Sequence, residues 1–168
     1  MLFVQATSQL ISILSSVQID ISNLNFLAIF IASILSFAIG AIWFGPKTFY
    51  PVWMRALGRE IPKERVKMTG SETLLMFGGT YLAAFIQVLT LAVIISFGRE
   101  LTPGFGPIDG LLFGFVFSVG LGAFASLSHR MFGQANFKVY QSLKVWLIEV
   151  SQDVICLSLA GLILGSWG

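Results

Sequence analysis

The sequence predicts an all-α integral membrane protein, with transmembrane helices over about residues 24–45, 73–97, 109–128 and 137–164 and an amphipathic helix over residues 1–21. Three observations predict this class. No Asp, Glu, Lys, Arg or His lies between Asp20 and Lys47, between Glu72 and Arg99, or between Asp109 and His129. A hydrocarbon core about 30 Å thick needs roughly 20 mostly apolar helical residues, and these gaps supply that length or nearly so. The composition, 56% hydrophobic and 11% charged over 168 residues, leaves too little polar surface for a water-soluble globule, whose charged share is about 25%. Finally, the basic residues gather in alternate loops, as the positive-inside rule requires of a polytopic chain.

The residues before the first gap place Phe3, Ala6, Leu10, Ile13, Leu14, Val17 and Ile21 at helical spacing, with Ser and Gln between them. The helix has a polar face without Lys or Arg, unlike a secretory signal or a mitochondrial presequence, so the segment is expected to be retained. It is expected to lie at the membrane interface or against a partner. Residues 22–168 form the second unit, the four-helix transmembrane domain.

The first span has Asn23 as its expected N-cap and Pro46 as its stop, since the residue before proline disfavours the α region. The second follows Thr69-Gly-Ser-Glu72, a capping-box pattern. The fourth follows Lys144 less cleanly and is expected to begin near Phe137.

Small residues recur every fourth position: Ala28, Ala32, Ser36 and Gly40 in the first span, and Gly110, Gly114, Ser118, Gly122 and Ser126 in the third. Gly161 and Gly165 add a GxxxG to the fourth. Such rows let helices approach closely, either within one chain or between copies. Aromatic side chains cluster at the same level, with Trp43, Phe44, Phe49, Tyr50 and Trp53 in one corner and Tyr140 and Trp146 in the other. An interfacial belt accounts for them. The two halves also share a faint pattern, Phe44-Gly45 echoed by Phe132-Gly133, consistent with two hairpins related by a pseudo-twofold axis.

Lys47, Arg55, Arg59, Lys63, Arg65 and Lys67 crowd the first loop, and Arg130, Lys138 and Lys144 the third, whereas the second has Arg99 alone. The rule places loops 46–72 and 129–144 in the cytoplasm and both termini outside. A bacterial inner membrane is the default; an organelle membrane stays open.

One Cys and one His, Cys156 and His129, build neither a disulfide nor a zinc site, so no metal and no cofactor are expected. No phosphate-cradling loop, Ser/His/Asp arrangement or nucleic-acid surface is present, and no catalytic residue is assigned. The chemistry-bearing pair is Glu149 and Asp153, four apart on the last span and therefore on one face with Gln152 and Cys156. An intramembrane acid is a functional-site hypothesis by default, and Gln87, midway along the second span, is an available partner. In one reading Asp153 binds a proton or cation and Glu149 is the entry acid. In the other, Glu149 stays at the interface against Lys144 or Arg130, with His129 and Arg130 anchoring a helix end, and Asp153 is a packing residue.

The stretch Gly40-Ala-Ile-Trp-Phe-Gly-Pro46, with Phe49 and then Trp53-Met-Arg-Ala-Leu-Gly58, resembles the signature of the membrane family catalogued as domain of unknown function 1761. The second corner, from His129 through Phe132 to the helix ending at Trp167, is similar too. The resemblance covers about residues 23–168 and implies a compact four-helix membrane protein; it brings no activity and no catalytic residues.

The leading expectation is a non-enzymatic structural or accessory subunit that meets a membrane-protein partner, or its own copies, through the small-residue faces and the uncharged N-terminal helix. The alternative is a small oligomeric proton-coupled transporter or channel using Asp153 and Glu149. No nucleic-acid partner is expected, and an enzyme comes third.

Overall fold

The computed structural model describes residues 24–62, 67–132 and 138–167. These residues are helices and connections without a strand. Four helices are long and apolar enough to cross a membrane: Phe26–Trp43, Gly70–Leu101, Pro107–Phe132 and Val139–Ser166. The amphipathic helix expected over residues 1–21 lies outside the described residues, as does Asn23.

Helix α1 (Phe26–Trp43) is capped by Asn25, whose Oδ1 accepts from the Ala28 amide at 3.0 Å. The cap is thus two residues later than the Asn23 expected. Any Asn can accept from an exposed helical amide, and the pattern did not separate the two. The helix ends before Pro46, and the Thr48 hydroxyl folds back to its last carbonyls, 2.8 Å from Trp43 O. Helix α2 (Tyr50–Ala56) is a short surface turn. It closes as a Schellman motif: Arg59 N donates to Met54 O, Gly58 N donates to Arg55 O, and Gly58 takes φ 71°. That conformation is why the Trp53-to-Gly58 stretch ends in glycine.

Helix α3 (Gly70–Leu101) begins with the anticipated capping box. Glu72 Oε2 accepts from Thr69 N at 2.8 Å, and Thr69 Oγ1 accepts from Glu72 N at 3.3 Å. It runs four residues beyond Phe97 and turns through Thr102-Pro-Gly-Phe105, where Gly104 has φ 78° and Phe105 N donates to Thr102 O. Pro followed by a positive-φ Gly is the requirement of a type II turn. Helix α4 (Pro107–Phe117) starts with proline at its first position. It runs into a π-helical segment, Ser118–Ala123, and then into α5 (Phe124–Phe132). Helix α6 (Val139–Ser166) completes the antiparallel set. Residues 133–137, where it was expected to begin, are outside the described set.

Helix α6 is the hub: it packs against α1, α2, α3, α4, the π segment and α5, and its closest partner is α4. The core lies toward the end of the bundle that carries Asn25, Arg99 and Trp167. It joins Ala28, Ile29 and Ala32 to Val88, Leu91, Ala92 and Ile95, and to Leu157, Ala160 and Leu164. At that end Arg99 donates to Leu164 O at 2.5 Å and Asn25 Nδ2 to Trp167 O at 3.1 Å. A cation and an amide thereby serve carbonyls that the last turn of α6 leaves free. The outward surface is apolar: Leu75 is 78% exposed and Leu74 74%. Large side chains this open, along spans of such length, belong against lipid.

Candidate functional site, a mainly apolar cleft inside the bundle

The two halves of α3 behave differently. From Val88 onward it buries Val88, Leu91, Ala92, Ile95 and Gly98 against the core, whereas from Gly70 to Gln87 it buries no residue. The first half meets α1 through Tyr81, whose hydroxyl lies 3.3 Å from Ser33 Oγ and whose ring meets Phe37 edge-on, and a cleft of about 670 Å³ opens between α1, α3 and α6. Ser36, Phe37, Gly40 and Ala41 of α1 form one wall. Thr80, Ala84 and Gln87 of α3 face them, and Gln152, Asp153 and Cys156 of α6 form the back. Tyr50 and Trp53 of α2 close the loop-bearing end.

The acid at the back of this cleft lies deep. Asp153 stands about 21 Å along α6 from Val139 and about 20 Å from Ser166, the middle of the helix. Gln87 is likewise near the middle of α3. The structure brings Asp153 and Gln87 to one cleft without joining them: among the described residues no hydrogen bond or ion pair reaches the Asp153 carboxylate, which is half-buried. Gln152 is held in place, its Nε2 donating to Cys156 Sγ at 3.2 Å while that thiol donates to Ser36 O at 3.5 Å. Gly40 leaves room for this: a Cβ there would stand 3.4 Å from Gln152 Nε2. Among the described residues no group of His, Cys, Asp and Glu could hold a metal ion.

Glu149, one turn nearer the basic loops, occupies a different environment. Its Oε1 accepts from the Trp53 indole at 2.9 Å, and its Oε2 lies 2.6 Å from Arg130 Nε. The Arg130 N–H is not aimed along a hydrogen-bond line to that oxygen, which has no hydrogen-bond partner among the described residues. The contact is a charge pair, and Arg130 is half-exposed. Glu149 thus ties α2, α5 and α6 together at the rim of the cleft. His129 and Lys144 are exposed and stay outside this junction.

Trp43 donates to Ile148 O at 3.0 Å and Trp146 to Ala123 O at 2.9 Å. The corner tryptophans therefore fasten neighbouring helices around α6, beyond sitting at the interface. Sequence reasoning missed this role, and with it the part of Tyr50 and Trp53 in closing the cleft. The one available signal was that Trp43 and Trp53 share a corner with Glu149 at the same level.

The small residues are mostly spent within the chain. Ala28, Ala32 and Ser36 are buried, and Gly40 is half-buried. Gly110 and Gly114 cross Gly161 and Gly165 so closely that a Cβ on Gly110 would collide with Gly161 O, and one on Gly114 with Leu157 O. The interval of four runs through Gly110, Gly114 and Ser118 and then breaks. The π turn inserts one residue, so that Ala123 is buried while Gly122 is exposed with open space around it; Ser126 is half-buried beyond.

No curated protein and no solved structure matches this chain. A family model does, over residues 27–165, which include both aromatic corners, the cleft and the glycine crossing. The chain belongs to the family described as Protein of unknown function (DUF1761).

Proposed function

We propose that this is a non-enzymatic integral membrane protein that binds and moves a solute in exchange for a proton or cation at Asp153, with loops 46–72 and 129–144 on the cytoplasmic side. One observation carries the reading: a carboxylate at mid-helix faces a mainly apolar cleft and has no hydrogen-bond or ion-pair partner among the described residues. Removing a bare carboxylate from water is costly, so such a group is retained where something neutralises it in turn. Glu149, engaged by Trp53 and Arg130, serves here as a structural clasp at the cleft rim.

The accessory-subunit role has a narrower base. Gly110, Gly114, Gly161 and Gly165 meet one another inside the chain, which leaves the open first half of α3 as the face for a partner. Reconstitution decides between them. Proteoliposomes are expected to show proton movement that Asp153→Asn abolishes while the helical content is kept. Equal proton movement with both proteins, together with purification as a stoichiometric complex with a second protein, would transfer the assignment to the subunit role.

A further inference from the structure

The cleft has a lining that limits what it can hold. Its surface is mainly apolar, and among the described residues Asp153 is its one charged lining residue. Aromatic rings of Phe37, Phe44, Tyr50, Trp53 and Phe77 stand around it. At about 670 Å³ it falls within the size range of sites for small organic ligands, roughly 300–1,000 Å³. Gln152 spends an amide hydrogen on Cys156, which leaves its Oε1 to accept, and Gln87 opens a second amide to the same space.

We infer that the solute is a lipophilic organic amine carrying one positive charge, held with its nitrogen at Asp153 and its apolar body among the aromatic rings; this rests on the proposed exchange at Asp153. Charge complementarity selects the cation. An ammonium N–H donates to the carboxylate in a charge-assisted bond, the amide oxygens of Gln87 and Gln152 take further N–H groups, and ring faces attract the remaining charge. A dication would leave one charge unmatched in the cleft, and an anion would face Asp153 directly. The apolar walls reward a hydrocarbon body, which a hydrated inorganic ion lacks. Proton and amine compete for one carboxylate, so acidification weakens amine binding. Among the described residues, the other titratable or charged groups near Asp153 are Glu149 and Cys156 on its own helix, Tyr50 on α2 and Arg130 on α5, and α1, α3 and the π segment bring none to the cleft lining around it.

The test is calorimetric titration of the full chain in nanodiscs, corrected against empty nanodiscs. The probes are 4-phenylbutylamine, the neutral 4-phenylbutanol and the anionic 4-phenylbutyrate. The amine is expected to bind saturably and at least about tenfold more tightly than either analogue. Asp153→Asn is expected to remove that preference. Ala84→Trp, which fills the cleft and keeps the acid, is expected to abolish binding with the helices intact. Equal binding of the alcohol, or undiminished amine affinity in Asp153→Asn, overturns the inference. Asp153-dependent proton or inorganic-cation movement without amine binding overturns it too but leaves the exchange reading standing. Loss of Asp153 dependence in every assay removes both.

Discussion

The two ends of this bundle are built from the same kinds of residue and do opposite things. Toward Asn25, Arg99 and Trp167, glycines let α4 and α6 meet backbone to backbone, and aliphatic side chains of α1, α3 and α6 fill the remaining space. Toward the basic loops, a cleft opens between α1, α3 and α6, and tryptophans bonded to carbonyls and to Glu149 fasten helices around it. Because lipid tails are as apolar as a helix surface, membrane helices close on one another through van der Waals contact and hydrogen bonds. Where small residues permit contact the bundle is sealed; toward the basic loops, where among the described residues the indole bonds join α1, α2 and the π segment to α6 and none reaches α3, a cleft stays open. The closed end gives the open end a rigid base.

The largest effect in breaking this contrast is expected at the glycine crossing. Gly161→Val would drive a side chain into the Gly110 carbonyl, which neither backbone can vacate. A loss of about 3 kcal/mol is expected by reversible detergent unfolding. Next comes a matched pair of enlargements. Ala160→Leu, at a site 1% exposed, is expected to cost about 2 kcal/mol. Ala84→Leu, beside the cleft, is expected to cost less than about 0.5 kcal/mol in the same assay. Equal costs would mean that the cleft is as tightly packed as the core.

A smaller change is expected at the rim. Glu149→Gln keeps an acceptor for Trp53 and removes the charge facing Arg130. With Arg130 half-exposed the loss should be about 1 kcal/mol, and it should shrink with added salt if the pair is electrostatic. The smallest effect has the opposite sign. Gly122→Ala, in open space, is expected to stabilise by about 0.5 kcal/mol, because glycine in a helix interior costs entropy that nothing here requires. A loss at Gly122 comparable to that at Gly161 would show that the interval of four continues past the π turn.

Much of the closed end is legible in the sequence. Charge-free gaps marked the spans, and Gly110, Gly114, Gly161 and Gly165 marked surfaces able to approach closely. The open end is less so. The two halves of α3 are both apolar, and nothing in their composition says that one packs and the other does not. Periodicity placed Gly122 in line with Gly114, but an inserted residue rotates the helix, and that insertion depends on packing against α6. Tryptophans at a membrane boundary satisfy the interfacial pattern whether or not their N–H groups are used, so the bond from Trp53 to Glu149 could not be read from position. Glu149, Gln152, Asp153 and Cys156 were visible as one helical face; which of them met a partner was settled by the helices opposite.

The contrast between the two ends can be measured directly by thiol labelling. Single cysteines at Thr80 and Ala84 in the cleft, and at Ala92 and Ala160 in the core, would be introduced in a Cys156→Ala background and treated with a small cationic methanethiosulfonate. Rapid modification at Thr80 and Ala84, with Ala92 and Ala160 protected, is the predicted result. Modification of all four at similar rates, or protection of Thr80 and Ala84, would contradict an open cleft standing on a sealed base.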